Sequence, residues 1–355
     1  MGNKVLHQFL MDVSRGDATS DHAFLIRSWL RELGFDSEIY GAVYDEELVS
    51  EVRQFTPGSF AGDELVIYHH TTGSSTLNHL LERRNPLILI YHNITPPEFF
   101  KKADPSIANQ LVAGREQLKD LRPFVRLALG DSPFNEEELK EIGFKETGVL
   151  PIVLNEAEYD VSIDEQLQSR IQEDAPTMLF VGRVAPNKRQ EDLVKLLYYV
   201  RQIYPRARLI LVGGNTGQGY IRWLNYFINR NGLADAVTLT GHVTQQEMVT
   251  YYKSADLFVS MSEHEGFGKP LIESMYFGLP VLAYSAAAVP STLGEAGILF
   301  SRKEFEPLSE LVRILYEDQK LRQRVIETQT RRVQAFLEPN IKEQFKRYLT
   351  QLNLL

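Results

Sequence analysis

The chain has 355 residues, 43 % hydrophobic and 24 % charged, a globular composition with room for two domains of ordinary size. Its 38 Lys and Arg against 47 Asp and Glu leave a net charge of −9. That excludes the broad basic face of a nucleic-acid binder, although a few cations gathered at one place still hold a phosphate. The absence of cysteine excludes disulfides and thiolate metal sites and fits a reducing compartment. The opening MGNKVLHQFLMDVSRGD is too polar for a signal peptide, and no run approaches the ~20 apolar residues of a membrane span. The expectation is a cytoplasmic protein.

Lys4 to Leu10 reads as a strand, followed by a loop with Gly16 and a helix from Ala23 to Leu33 closed by Gly34. Strand, glycine loop, helix is the opening of a doubly wound sheet, here without G-x-G-x-x-G and so without support for a dinucleotide. Further strands are expected at Ser37–Ala42, Glu64–His69, Leu87–Tyr91 and Val125–Leu129. Leu77–Arg84, Ile107–Leu121 and a helix from Pro133, capped by Ser132, alternate with them. The continuous apolar run Leu87–Tyr91 is that of a buried parallel strand.

Glu156 to Pro176 is polar and acid-rich and reads as a passage between domains. The pattern then repeats, with strands at Thr177–Gly182, Arg208–Gly213, Val237–Gly241, Val281–Tyr284 and Ala296–Phe300. Helices are expected at Glu191–Ile203, Gly219–Asn231, Gln245–Lys253, Pro307–Glu317, Leu321–Leu337 and Ile341–Leu352. Strands alternating with helices imply α/β with parallel sheets, in two halves. The expected division is 1–158 and 159–337, with the terminal helix at about 338–355 packing back onto the first. Two doubly wound domains equally suit a periplasmic-type binding protein or an epimerase.

The most informative stretch is Ser262–Pro280, SEHEGFGKPLIESMYFGLP, entered from the apolar run Ala255–Met261. It places Glu265, Gly266, Phe267 and Gly268 in a loop, Pro270 in the first turn of a helix, and Glu273 in that helix. Unpaired backbone N–H groups and the positive end of the helix dipole suit anionic or hydroxyl-rich ligands. A carboxylate accepts two hydrogen bonds from neighbouring hydroxyls, as a sugar or ribose offers. Taken alone, Glu273 is a helix charge and Glu265 a solvated one. Three other features follow strands. Gly182-Arg183 with Lys188 is suited to clamp a diphosphate, Arg as a planar fork and Lys as a point charge. Gly213-Gly214-Asn215 lets a ligand approach the backbone, and Gly241-His242-Val243 offers backbone groups to a base.

In order and spacing these features resemble the donor domain of glycosyltransferase family 4, retaining enzymes of the GT-B fold, over about Thr177 to Leu299. The resemblance implies two Rossmann-like domains facing each other across a cleft, with a nucleotide diphosphate sugar in the second and an acceptor in the first. It implies that Arg183 and Lys188 hold the diphosphate, Glu273 the ribose, and Glu265 with Gly266, Phe267 and Gly268 the transferred sugar. Gly213 belongs to the same donor site, and the backbone beside His242 and Val243 faces the base. Gly16 matches a loop glycine facing the diphosphate, and His92 a histidine near the reaction centre. Many relatives carry a glutamate where this chain has Ser291, read here as a change at a helix start.

The implied reaction moves a sugar, from a UDP- or GDP-linked donor, to a hydroxyl of a glycan or lipid-linked acceptor, with retention and without a metal or other cofactor. Asp17 is a candidate to orient the acceptor hydroxyl, or else a helix cap. Phe99 and Phe100 are a sugar platform or core, and Arg15, Lys101, Lys102 and Arg115 an anion-binding set or ordinary surface charge. His69 and His70, adjacent on a strand, face opposite ways and form no chelate. Cell-surface polysaccharide synthesis, with peripheral membrane contact, is what the resemblance suggests. A nucleotide-sugar-binding protein without turnover and a GT-B epimerase are the alternatives.

Overall fold

The computed structural model describes residues 4–171, 174–215 and 217–355. The chain divides into two compact units. The first comprises residues through Lys101, Pro105–Val153 and Glu338–Leu355; the second comprises Lys102–Asp104 and Leu154–Leu337.

In the first unit the elements run β1 (Lys4–Val5), β2 (His7–Val13), α1 (Ala18–Glu32), β3 (Phe35–Asp36), β4 (Ile39–Tyr44), β5 (Val52–Gln54), β6 (Val66–His70), α2 (Leu77–Arg83), β7 (Leu87–Tyr91), α3 (Pro105–Leu121), β8 (Val125–Gly130), α4 (Pro133–Ile142) and β9 (Thr147–Val149). Seven strands form one parallel sheet in the order β5-β4-β2-β6-β7-β8-β9, and β1 pairs with β3. Both faces are covered. Along β7, Leu87, Leu89 and Tyr91 enter one core with Phe9 and Tyr68, while Ile88 and Ile90 enter another with Trp29, Leu127 and Leu129. Burial on both faces explains why this strand is an unbroken apolar run rather than an alternation.

Two short strands, β5 and β9, escape the sequence reading because, unlike the equally short apolar β15, their VRQ and TGV carry no apolar run. Helix α1 starts at Ala18 rather than Ala23. Its start is set by Asp17, whose carboxylate accepts from the N–H groups of Thr19 and Ser20 at 3.1 Å each. At the carboxyl ends of the central strands the order reverses between β2 and β6.

The second unit runs α5 (Glu165–Ile171), β10 (Thr177–Val181), α6 (Gln190–Ile203), β11 (Arg208–Val212), α7 (Gln218–Arg230), β12 (Val237–Gly241), α8 (Gln245–Ser254), β13 (Leu257–Ser260), α9 (Lys269–Tyr276), β14 (Val281–Tyr284), α10 (Val289–Leu293), β15 (Ile298–Phe300), α11 (Phe305–Glu317) and α12 (Gln319–Val333). Its six strands are parallel, in the order β12-β11-β10-β13-β14-β15. The stretch expected as a passage over 156–176 carries a 3₁₀ turn at Glu156–Tyr159 and helix α5; its residues 172 and 173 lie outside the described ones. Asp164 starts α5 by accepting from Leu167 N at 2.9 Å, and Ile171 is buried. The density of acids hides both the turn and the helix in the sequence.

The last helix, α13 (Glu338–Gln351), belongs to the first unit. Its Ile341, Phe345 and Leu349, four residues apart, enter the core beside Trp29. Each such side chain contributes about 2 kcal/mol of burial. The Tyr348 hydroxyl accepts from Val149 N and donates to Val149 O, both at 3.0 Å. A side chain on Gly148 would place its Cβ 2.4 Å from that hydroxyl, so the glycine is required by this close approach. Among the described residues, no helix is long and apolar enough to cross a membrane.

Candidate active site

Open parallel sheets bind ligands beyond their strand ends, where the strand order reverses. In the second unit that point lies between β10 and β13, flanked by the loops 182–189 and 261–268. Backbone and side chains tie these loops together. Glu263 N donates to Asn187 O at 2.9 Å, and Asn187 Nδ2 to His264 O at 3.1 Å. On this frame Lys188 Nζ meets Glu265 Oε2 at 2.5 Å, both side chains being largely but not fully buried. Two residues 77 apart in sequence, each singled out as a ligand contact, thus pair with one another. Arg183 lies exposed in the same loop, its carbonyl accepting from Gln190 Nε2 at 2.9 Å.

A second cluster of charge, not read from the sequence, ties the same two loops to α6 and to Lys303. Asp192, almost fully buried, accepts from Arg189 Nε at 3.0 Å, Lys195 Nζ at 2.8 Å and Lys303 Nζ at 3.0 Å. Lys303 also reaches Glu263 at 2.8 Å, and Arg189 reaches it at 3.4 Å. Burial alone would raise the Asp192 carboxyl, but Lys195, Lys303 and Arg189 outweigh it and hold the carboxyl below its ordinary range. Burial would likewise lower Arg189, and Glu191, Asp192 and Glu263 raise it. Arg189 takes a left-handed φ of 55° at the N-terminal cap position of α6 and pairs with Glu191 and Asp192 of its first turn. Lys303 follows β15, over a hundred residues from Asp192, and carries no local signal.

The glycine loop is closed by its own neighbours. Ala288 N donates to the Glu265 carbonyl at 3.1 Å, and Thr292 Oγ1 to the Phe267 carbonyl at 2.6 Å. Gly266 lies between them, and the Phe267 ring packs edge-on against Phe336. Gly268 sits at φ +88° with Leu271 against it, so a side chain there is strained twice over. Ser291 bonds back to the Ala288 carbonyl at 2.9 Å within α10, in keeping with a role at the start of that turn.

Glu273 is placed less openly than the ribose role implies. It is 8 % exposed, and its two oxygens accept from the hydroxyls of Tyr159 and Tyr252, each at 2.6 Å. Burial first, and then the Glu273 carboxylate, push the Tyr252 hydroxyl well above its ordinary range. Tyr252 lies on α8 and Tyr159 in the 3₁₀ turn, and neither was singled out in the sequence.

At Gly213 and Gly214 the missing side chains make room for the protein itself. A Cβ on Gly213 would come within 2.3 Å of the Gly182 carbonyl oxygen, and one on Gly214 within 2.2 Å of His242 Nε2. The exposed His242 therefore lies over Gly214, with Val243 beside it at the end of β12.

In the first unit, Gly16 is exposed at φ +73° in the loop after β2. The neighbouring Asp17 is the cap of α1; this is the structural of its two readings. His92 follows β7 and is buried, its side chain 4 % exposed. Its Nδ1 lies 2.8 Å from Asp131 Oδ2 and its Nε2 3.0 Å from His69 Nδ1. The paired histidines of β6 do face opposite ways. His69 joins His92 and Gln8, while His70 lies 2.9 Å from the Tyr68 hydroxyl and 3.0 Å from the Gly114 carbonyl. Phe100 is core, and Arg15, Lys101 and Arg115 pair with Glu51, Glu98 and Glu138. Asp131 was missed, although its position directly after β8 marked it as a strand-end acid.

Comparison with known proteins bears on the second unit first. Residues 162–332 match the model of the family described as glycosyl transferases group 1. The second unit is thus similar to the group 1 glycosyl transferases. The chain is 28 % identical over 152 residues to a GDP-mannose-dependent alpha-(1-6)-phosphatidylinositol monomannoside mannosyltransferase of Mycobacterium tuberculosis, covering 40 % of this chain and 39 % of that protein. It is 35 % identical over 134 residues to a D-inositol 3-phosphate glycosyltransferase of Thermobispora bispora, covering 36 % and 31 %. The match thus spans well under half the length of these relatives. Among solved structures, Anabaena Alr3699/HepE in complex with UDP and glucose superposes with a TM-score of 0.77 at 18 % identity, over 98 % of this chain and 100 % of that one. Sucrose-phosphate synthase from Thermosynechococcus elongatus gives 0.78 at 19 % identity, over 98 % and 99 %. The fold of the chain is the GT-B fold of these glycosyltransferases.

Proposed function

We propose that the chain transfers a sugar from a nucleoside diphosphate sugar to a hydroxyl of a glycan or lipid-linked acceptor, with retention at the anomeric carbon. The observation that carries this reading is the Lys188–Glu265 pair at the strand-order reversal of a domain similar to the group 1 glycosyl transferases. Such a pair offers a cation to a diphosphate and a carboxylate to hydroxyls. An incoming diphosphate takes over Lys188 and, with Arg183, is neutralised there, while Glu265 is released to accept from sugar hydroxyls. Glu273 accepts from the ribose through lone pairs left by its two tyrosines, each carboxylate oxygen having more than one. The backbone at Gly266, Phe267 and Gly268 frames the sugar, and Gly213, His242 and Val243 frame the nucleotide.

In the reaction the bond from the anomeric carbon to the diphosphate oxygen breaks, and the oxygen keeps the electron pair. The acceptor hydroxyl oxygen bonds to that carbon on the same face, and its proton passes to the departing phosphate oxygen. Arg183 and Lys188 stabilise the charge developing on the leaving group, so the reading calls for no divalent metal. It suits a cytoplasmic enzyme of cell-surface polysaccharide synthesis, peripheral to the membrane. The test is release of nucleoside diphosphate from UDP- and GDP-sugars with a panel of glycan and lipid acceptors. Acceptor-dependent release supports transfer; binding without release under any acceptor would reduce the protein to a nucleotide-sugar binder.

A further inference from the structure

A line of buried hydrogen bonds in the first unit fixes where one proton must be. It starts at Gln8 on β2, whose Nε2 donates to the Ala23 carbonyl of α1 at 3.0 Å. A carbonyl only accepts, so the amide is held in one orientation, with its Oε1 3.0 Å from His69 Nε2. The amide oxygen only accepts as well, and His69 Nε2 therefore carries hydrogen. Burial, reinforced by His92 and His22, holds His69 well below the usual imidazole range. Neutral and protonated at Nε2, it presents a lone pair at Nδ1. Facing that lone pair at 3.0 Å is His92 Nε2, which must then donate.

The remaining nitrogen of His92 lies 2.8 Å from Asp131 Oδ2. Two arrangements satisfy it: an imidazolium donating to a carboxylate, or a neutral ring accepting from a protonated carboxyl. Both contain the same proton. Without it, His92 would donate from Nδ1 and turn a bare Nε2 toward the bare Nδ1 of His69. We infer that Gln8 and His69 oblige the buried His92–Asp131 pair to keep one proton, with His92 donating from Nε2. Asp131, His69 and Gln8 are thereby positioning residues for His92.

The surroundings support the assignment. Asp131 is 1 % exposed and its Oδ1 finds no hydrogen bond among the described residues, a poor setting for a full negative charge. Burial raises its carboxyl above the ordinary range, against the opposing pull of His92. The other titratable groups near the pair are His69 on β6, stacked on His92 with ring centroids 5.2 Å apart, His22 on α1, edge-on at 6.3 Å, and His70. A consequence rests on the transferase reading. In this state neither ring nitrogen of His92 can accept a proton from an acceptor hydroxyl, so His92 is a fixed donor and not the general base.

The experiment is ¹⁵N–¹H spectroscopy of the whole chain labelled at histidine, from pH 6 to 9, with the His92 signals assigned by their loss in His92→Gln. The expected result is a slowly exchanging N–H at His92 Nε2 throughout. In Asp131→Asn the side-chain amide donates to Nδ1 instead, and the Nε2 proton persists. A folded wild type in which His92 carries hydrogen at Nδ1 alone overturns the inference, whether or not the variants fold. Turnover is measured separately: a protein without transfer activity but with the Nε2 proton refutes the transferase reading and leaves this one standing.

Discussion

Both units carry polar side chains at or just after the carboxyl ends of parallel strands, and treat them in opposite ways. In the first, Asp131, His92, His69 and Gln8 form a line of hydrogen bonds in which the donor and acceptor follow at every contact but that of His92 with Asp131. In the second, Lys188 and Glu265 form one ion pair at a partly open surface, with a second cluster of charge on the same loops. Buried networks are specific but hard to re-pair, because each group loses water when its partner leaves. A largely buried pair that keeps some access to solvent is re-partnered by an entering ligand that supplies a new counter-charge. On the proposed reading, the contrast is between a pair that a charged ligand re-partners in the second unit and a line that holds one side chain in the first.

The sharpest way to break this comparison is Lys188→Ala. If the pair is a waiting ligand site, turnover falls 10²–10³-fold, about 3–4 kcal/mol of barrier, while the unfolding midpoint hardly moves. A large loss of stability with near-normal turnover would make the pair structural and erase the contrast. Arg183→Ala belongs in the same assay, with a loss of the same order.

Acid titration tests the other side. The His70 pKa is lowered to about 4, chiefly by burial, from an ordinary value of 6.5. A lowered value means that the unfolded chain takes up a proton that the folded chain refuses. Stability from this group is therefore complete above 6.5 and is lost as pH falls from 6.5 toward 4, by about 3 kcal/mol. His69, shifted in the same direction, adds to the loss. Urea midpoints measured from pH 7 to 4 should fall steeply in the wild type and less steeply in His70→Gln.

Tyr252→Phe probes a buried contact within the second unit. It removes one of the two hydroxyls donating to Glu273 and should cost about 2 kcal/mol of stability, read by chemical unfolding. It should also weaken nucleotide binding if that carboxylate meets a ribose. The smallest effect expected is that of Asp17→Ala, about 1 kcal/mol from the lost cap of α1, with turnover unchanged. Loss of turnover without loss of stability would return Asp17 to the acceptor side.

What the sequence made legible follows from distance along the chain. The strand, glycine loop and helix of residues 257–276 are local, so Gly268, Pro270 and both glutamates could be placed from spacing alone. Helix α4 was legible through its Ser132 cap, and β7 through its apolar run. The partners of these residues were not. Lys188 and Glu265 meet across 77 residues, Tyr159 and Glu273 across 114, Lys303 and Asp192 across 111. Such pairs are set by strand order, which no local pattern encodes. Gly213 and Gly214 illustrate a subtler limit: their need for glycine was visible, but the atoms that impose it, the Gly182 carbonyl and the His242 ring, come from neighbouring strand ends.

The central claim, that the loops after β10 and β13 hold a nucleoside diphosphate, is tested most directly by calorimetric titration of the whole chain with UDP, GDP and their sugar conjugates, without added metal. Binding of at least one nucleoside diphosphate, weakened tenfold or more in Lys188→Ala and unchanged in Asp17→Ala, is the result the account predicts. No heat and no shift in unfolding midpoint with any of them, from a folded wild type, would contradict it.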